Sequence, residues 1–438
     1  MNGSRRALLG LALLGGMGPV LAAAPASGKR SGFARLDAEL AAIAADPACE
    51  LASLSVLAIR AGKPVYARAF GRRRIGGPGE ADAPATPDTL YRIASVSKMM
   101  TTLGLMRLVE AGKVKLDEDV SQALGFSLRN PHFPDRPITL RQLLTHTSSL
   151  RDDAGYSFPA GTPLRDFLMP GGPLHGEGRM WANAAAPGAY FTYCNLGWGI
   201  IGTLMERVAG ARFDRLMRQL LLAPLGLEAG YNPAELAPAA LGNLATLYRK
   251  RTVDTEVWDA NGPWIAQNRR CSSPTAPAWP RTLRPRRERD PVQPDRRPAH
   301  LGARARHRDA DADERRPPWQ PAHPAGGHAR AHVHTRVARR WAKWRHPAWP
   351  LQGLGLGNAQ FPDEPGRRLV EGFDAVGHLG DAYGLRSVFA LDRERRNGLI
   401  VLVGGTSADP ETQQGRYSAL ARFEEQILSS MFRHAIAG

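Results

Sequence analysis

The chain has 438 residues, 43% of them hydrophobic, which is enough to bury a large core as one domain or two lobes. Its 58 Lys and Arg against 41 Asp and Glu give a net charge of +17, a balance that would suit nucleic acid or an acidic surface. Residues 269–348 alone hold 19 arginines and Lys343 against seven acidic residues, so the basic character is local and argues against a general nucleic-acid binder.

In chain order, Arg5-Arg6 precede an apolar run from Ala7 to Leu21, and Ala24-Pro25-Ala26 offers a small-residue cleavage site. Residues 1–26 therefore read as a secretory signal peptide, too short for a membrane span, and Ser4 to Leu9 resembles a twin-arginine export signal, with ordinary Sec export equally open. The mature protein is expected outside the cytoplasm, periplasmic or secreted. Phe33 to Ala45 reads as an amphipathic helix. Leu54 to Ile59 and Val65 to Phe70 alternate as strands around a turn at Ala61-Gly62-Lys63-Pro64. Helices are predicted at 95–111, 139–147, 195–209 and 212–222, then strands at 375–380, 385–392 and 398–404, with a hairpin turn at Asn397-Gly398. Asp409-Pro410 starts a last predicted helix, in which Tyr417, Leu420, Phe423, Ile427 and Met431 recur at helical spacing. Strands at both ends with helices between imply an α/β fold: an antiparallel sheet from both termini, flanked by helices, with an inserted, mainly helical lobe. Cys49, Cys194 and Cys271 form no evident disulfide framework.

The segment 269–348 breaks this pattern. It holds twelve prolines and seven of the twelve histidines, with no Ile, Met or Phe. Such a composition cannot bury enough apolar area to offset its ordering entropy. Two origins are open: a basic disordered insert, or a pair of compensating frameshifts near residue 269 and before residue 350. The domain is thus expected to comprise 27–268 and 349–438. His328, His332 and His334 have metal-like spacing, but no acidic or cysteine ligand accompanies them, and no metal or other cofactor is expected.

Three short motifs carry the chemistry. Ser95-Val96-Ser97-Lys98 places a hydroxyl and an amine one turn apart on a mostly apolar helix, and no other lysine of the chain has a serine three residues before it. A buried lysine is costly unless paired or used, although an N-cap serine followed by a snorkelling lysine is the simpler alternative. Tyr193-Cys194-Asn195, the only Tyr-x-Asn in the chain, opens another apolar helix, and the side chain of Cys194 is expected to point away from the face shared by its neighbours. His378-Leu379-Gly380 lies in a predicted strand, and His300-Leu301-Gly302 duplicates it without strand-like flanks.

In this order, the three motifs resemble those of the penicillin-recognising serine hydrolases: class C β-lactamases, D-alanyl-D-alanine carboxypeptidases, D-aminopeptidases and related esterases. Thr86 to Lys98, Ile138 to Leu150 and Pro187 to Gly199 look like stretches of the same family. The resemblance implies a β-lactamase/transpeptidase-like fold with the active site between the lobes. It also implies an acyl-enzyme on Ser95, with Lys98 and Tyr193 sharing the proton transfers. Asn195 would bind Lys98 or the substrate amide, and the backbone N–H groups of Ser95 and Asp381 would form the oxyanion hole. His378, Gly380 and Asp381 would line the substrate site. His378 departs from the lysine usual in β-lactamases; partly charged near neutral pH, it would hold a substrate carboxylate less firmly. The expected partner is a small molecule or a peptidoglycan-type substrate, not nucleic acid. A glycine-rich turn and a Ser/Thr-capped helix, which the family has before its third motif, are not recognisable in 269–348. A catalytically impaired binding protein of the same fold is the alternative.

Overall fold

The computed structural model describes residues 33–158, 161–252, 257–267, 356–364, 367–382, 384–418 and 420–438. The expected signal segment, the segment 269–348 with its histidines, and Cys271 lie outside these residues. Helices are α1 (Ala34–Ala44), α2 (Ser97–Glu110), α3 (Val120–Leu124), α4 (Leu140–Leu144), α5 (Leu164–Leu168), α6 (Leu196–Ala209), α7 (Phe213–Met217), α8 (Pro238–Gly242) and α9 (Arg422–Met431). Strands are β1 (Ser53–Arg60), β2 (Lys63–Arg74), β3 (Ala83–Pro84), β4 (Tyr248–Lys250), β5 (Trp264–Ala266), β6 (Ala359–Phe361), β7 (Ala375–Ala382), β8 (Leu385–Asp392), β9 (Asn397–Val403) and β10 (Gly405–Thr406).

Seven strands form one antiparallel sheet in the order β3-β2-β1-β9-β8-β7-β6, which joins the two ends of the chain through the β1–β9 pair, Leu54 opposite Val403. The β1–β2 turn uses positive φ at both Ala61 (52°) and Gly62 (80°), the conformation whose twist matches flanking strands. Alternate residues of the central strands, among them Leu54, Val56, Val388, Leu399 and Val401, are buried in one core with Leu36 and Leu40 of α1 and Phe423, Ile427 and Met431 of α9. Each such side chain contributes roughly 1.5–3 kcal/mol by leaving water, so this helix-covered face fixes the register of the sheet. A small second sheet, β10-β4-β5, extends the assembly.

The helical lobe has its own core, built by Leu105 and Leu108 of α2, Leu140, Leu143 and Leu144 of α4, and Ile200, Ile201, Leu204 and Met205 of α6. The antiparallel sheet with an inserted helical lobe is thus present as expected. Several boundaries differ. The helix predicted at 139–147 ends at Leu144, because the Thr145 hydroxyl turns back to the Arg141 carbonyl and His146 adopts a φ of 58°. The last helix begins at Arg422, not at Asp409, which instead caps a 3-10 turn, Pro410–Thr412. Glu425 holds the intervening loop by accepting bonds from the backbone N–H groups of Arg416, Tyr417 and Ser418. The β8–β9 turn falls on Arg393 to Arg396, with Asp392 accepting from the Arg395 N–H. Asn397 and Gly398 are already in β9, and Asn397 Oδ1 accepts from the Ala61 N–H on the neighbouring hairpin.

Candidate active site

The two lobes meet where the start of α2 abuts β7. Irregular chain reaches Ile93, Ala94 takes a φ of 43°, and a single 3-10 turn (Ala94–Val96) leads into α2. This sharp elbow exposes Ser95 at the helix entrance, where free backbone N–H groups favour negative charge. Gly380 permits the close approach: a Cβ there would lie 2.6 Å from the Ile93 carbonyl oxygen and would collide with Ser387 Oγ. Ser387 Oγ donates to the same carbonyl at 3.2 Å, tying the elbow to β8.

Around Ser95 Oγ the two motif partners converge. Lys98 Nζ lies 3.0 Å away and the Tyr193 hydroxyl donates to it at 2.8 Å. Lys98 is 8% exposed and also donates to Asn195 Oδ1 at 2.8 Å, so it is buried and paired, not snorkelling. Its ammonium lies 5.0 Å from the centroid of the Tyr193 ring. Burial disfavours the charged amine and outweighs the attraction of Asp152, bringing the Lys98 pKa down to about 8. Burial pushes the Tyr193 phenol upward instead, against the smaller opposing effect of its bond to Ser95.

His378 is 3% exposed, its Nδ1 donating to the Leu379 carbonyl at 2.6 Å, and its ring centroid stands 6.4 Å from that of Tyr193. Burial first, then the nearby Lys98 charge, lower its pKa to about 3. The ring is therefore neutral, where the sequence alone led us to expect partial charge. Alternation along β7 separates the remaining motif residues. Gly380 shares the Ser95 side with His378, whereas the Asp381 carboxylate pairs with Arg386 at 3.2 Å, as does Glu411.

Two residues that sequence reasoning missed hold the Tyr193–Asn195 segment. Asp152 Oδ2 accepts from the backbone N–H and the Nδ2 of Asn195, at 2.8 and 2.9 Å, and its Oδ1 accepts from the Leu196 N–H at 2.9 Å. His146 Nδ1 accepts from the Cys194 N–H at 2.9 Å, and its ring stacks on Tyr193 with centroids 4.5 Å apart. Burial keeps His146 neutral, with the Lys98 charge acting in the same direction. The Cys194 thiol is buried and points to Asp152 Oδ1 at 3.4 Å; burial raises its pKa well above the usual thiol range. Cys49 and Cys194 are both free. Among the described residues no cluster could hold a metal ion.

The family model for Beta-lactamase matches residues 36–422. This chain belongs to the beta-lactamase family. Within that family it is 29% identical over 181 residues to the D-alanyl-D-alanine-carboxypeptidase/endopeptidase AmpH of Escherichia coli K12, covering 38% of this chain and 42% of that protein. It is 33% identical over 190 residues to esterase EstB of Burkholderia gladioli, covering 40% of this chain and 46% of that one. The chain spans less than half the length of these curated relatives. The octameric penicillin-binding protein homologue from Pyrococcus abyssi shares the fold, with a TM-score of 0.54 at 19% identity over 92% of this chain and 77% of that chain.

Proposed function

We propose that this member of the beta-lactamase family is an exported serine hydrolase that forms an acyl-enzyme on Ser95. The observation that carries the reading is the hydrogen-bonded trio of Ser95, Lys98 and Tyr193 around a lysine whose pKa is brought near 8. A neutral Lys98 takes the Ser95 proton as Oγ attacks the substrate carbonyl carbon. The oxyanion is received by the backbone N–H groups of Ser95 and Asp381. Collapse breaks the bond to the leaving alcohol or amine, which takes a proton relayed through Tyr193. Water then attacks the acyl carbon by the same route in reverse and frees Ser95. Lys98 is the better base of the two, because burial pushes the phenol's pKa away from neutrality and the amine's toward it.

Neutral His378 supports short esters and D-amino-acid peptides or amides as substrates ahead of β-lactams, whose carboxylate asks for a cation. Asn195, His378 and Gly380 line the substrate side. The stretches on either side of residues 269–348 supply strands to one sheet, which supports a single domain made of 27–268 and 349–438. The export signal read in residues 1–26 supports a periplasmic or secreted location, and no helix among the described residues is long and apolar enough to cross a membrane.

Covalent labelling tests the reading. A fluorescent fluorophosphonate is expected to label the wild-type protein and not Ser95→Ala, with a fluorescent penicillin labelling more weakly. Equal labelling of both proteins would overturn the assignment of Ser95. N-terminal sequencing of the protein recovered from culture medium and periplasm checks export.

A further inference from the structure

Asn195 is the N-cap of α6, a place where an asparagine side chain ordinarily turns inward to accept from the first free N–H groups of its own helix. Here it does not. Its side chain makes no cap bond, and the free N–H groups of Asn195 and Leu196 go to Asp152, a residue 43 positions earlier in the chain. The carboxylate thus takes over the capping of α6 and releases the Asn195 side chain to reach Lys98.

Asp152 also decides which way that side chain faces. A carboxamide has a donor end and an acceptor end of nearly equal shape, and nothing in its own geometry prefers one orientation. A carboxylate only accepts, so Asp152 Oδ2 at 2.9 Å can pair only with the NH2 end. The oxygen end must then point the other way, 2.8 Å from Lys98 Nζ. With the amide reversed, two donors would face each other at Lys98 and an oxygen would face a carboxylate. We propose that Asp152 is a positioning residue for the hydrolytic reaction: it locks the Asn195 amide so that its oxygen holds Lys98 against Ser95. The inference rests on the assignment of Ser95 and Lys98 made above.

Asp152 also acts on the charge of Lys98. The titratable groups around that amine are Tyr193 and Cys194 on the segment entering α6, His146 after α4, His378 on β7, and Asp152 on the loop after Leu150, with Tyr156 acting on Asp152 and Tyr193. The two imidazoles are held neutral, and the phenols and the thiol are held protonated. That leaves Asp152 as the charged neighbour among these described groups, and its field favours the protonated lysine.

The test is steady-state hydrolysis of a p-nitrophenyl ester across pH by the full chain and its variants, each checked for folding by its thermal melt. Asp152→Asn loses the charge and frees the amide. Its kcat is expected to fall roughly 100-fold with KM nearly unchanged. The acid limb of its profile should move down by roughly one pH unit. In an Asn195→Ala background the same substitution should cost much less than about 100-fold in kcat, since the amide is gone and only the backbone bonds and the charge of Asp152 remain to be lost. Asp152→Glu retains the charge but displaces the carboxylate by a methylene, so kcat falls while the acid limb stays near 8. That variant decides the matter if Asp152→Asn does not fold. The proposal is overturned by an unmoved acid limb in Asp152→Asn, by a full additional loss in the Asn195→Ala background, or by wild-type kcat in Asp152→Glu. Ser95→Ala in the same assay separates the two levels: if it is active, the assignment of Ser95 as the nucleophile fails; if it is inert and any of the overturning results appears, only the role of Asp152 fails.

Discussion

The two walls of the cleft do different work. The helical wall brings Ser95, Lys98, Tyr193 and Asn195 from two helix starts, and its loops add Asp152 and His146; every group of the proposed proton transfer is on this side. The sheet wall brings a strand edge, a glycine and a neutral imidazole. In the proposed reaction the chemistry is therefore set by one lobe, and the other shapes what can lie beside Ser95. A strand suits this task because its backbone presents a straight row of polar groups, while alternation sends every second side chain to the far face. A helix start suits the other task, because it gathers free N–H groups and a favourable dipole around a nucleophile.

The largest effects should come from the helical wall. Ser95→Ala is expected to lower p-nitrophenyl ester hydrolysis by on the order of 10⁴-fold, with Lys98→Ala and Tyr193→Phe close behind, because groups that act as a unit fail together. Wild-type turnover in Ser95→Ala would break the division between the walls.

Substitutions on β7 sharpen the comparison, since neighbouring residues face opposite ways. Gly380→Ala drives a methyl against the Ile93 carbonyl and should cost roughly 100-fold in kcat/KM by displacing the elbow. Leu379→Ala, one residue away but in the helix-covered core, should cost about 2–5 kcal/mol in urea unfolding and leave kcat nearly intact at temperatures where the protein stays folded. The reverse pattern, kinetic damage from Leu379→Ala alone, would place the two side chains on the wrong faces.

The pH dependence is a smaller and more diagnostic effect. As the proposed base, Lys98 works only when neutral, so kcat/KM should rise with pH through a midpoint near 8 and level off above it. A profile already flat from pH 6 would mean that the amine does not titrate in that range.

The smallest effect is expected from His378. Because its ring stays neutral down to about pH 3, the ratio of kcat/KM for a neutral ester to that for an ester bearing a carboxylate should hold constant between pH 6 and 8. A fall in relative carboxylate turnover over that interval, absent in His378→Asn, would assign the ring a charge.

The sequence by itself determined the elements and the motif residues. Alternation in Leu54 to Ile59 and Val65 to Phe70, and helical spacing along α2 and α6, are local signals that depend on neighbours a few positions away. Ser95, Lys98, Tyr193, Asn195, His378 and Gly380 were legible because each sits in a short motif of fixed spacing. Tertiary structure decided what no local spacing encodes. Asp152 sits in a loop without periodicity, and its partners, Asn195 and Leu196, lie more than forty positions away. His146 owes its role to a left-handed turn and to stacking on a distant Tyr193. The end of the chain shows the same limit: the apolar spacing of Tyr417 and Leu420 continued a helical pattern, but Glu425 draws the backbone of Tyr417 and Ser418 into a loop. The charge states were also beyond the sequence, because the pKa values of Lys98 and His378 follow from burial between two lobes, and burial exists only once the lobes have met.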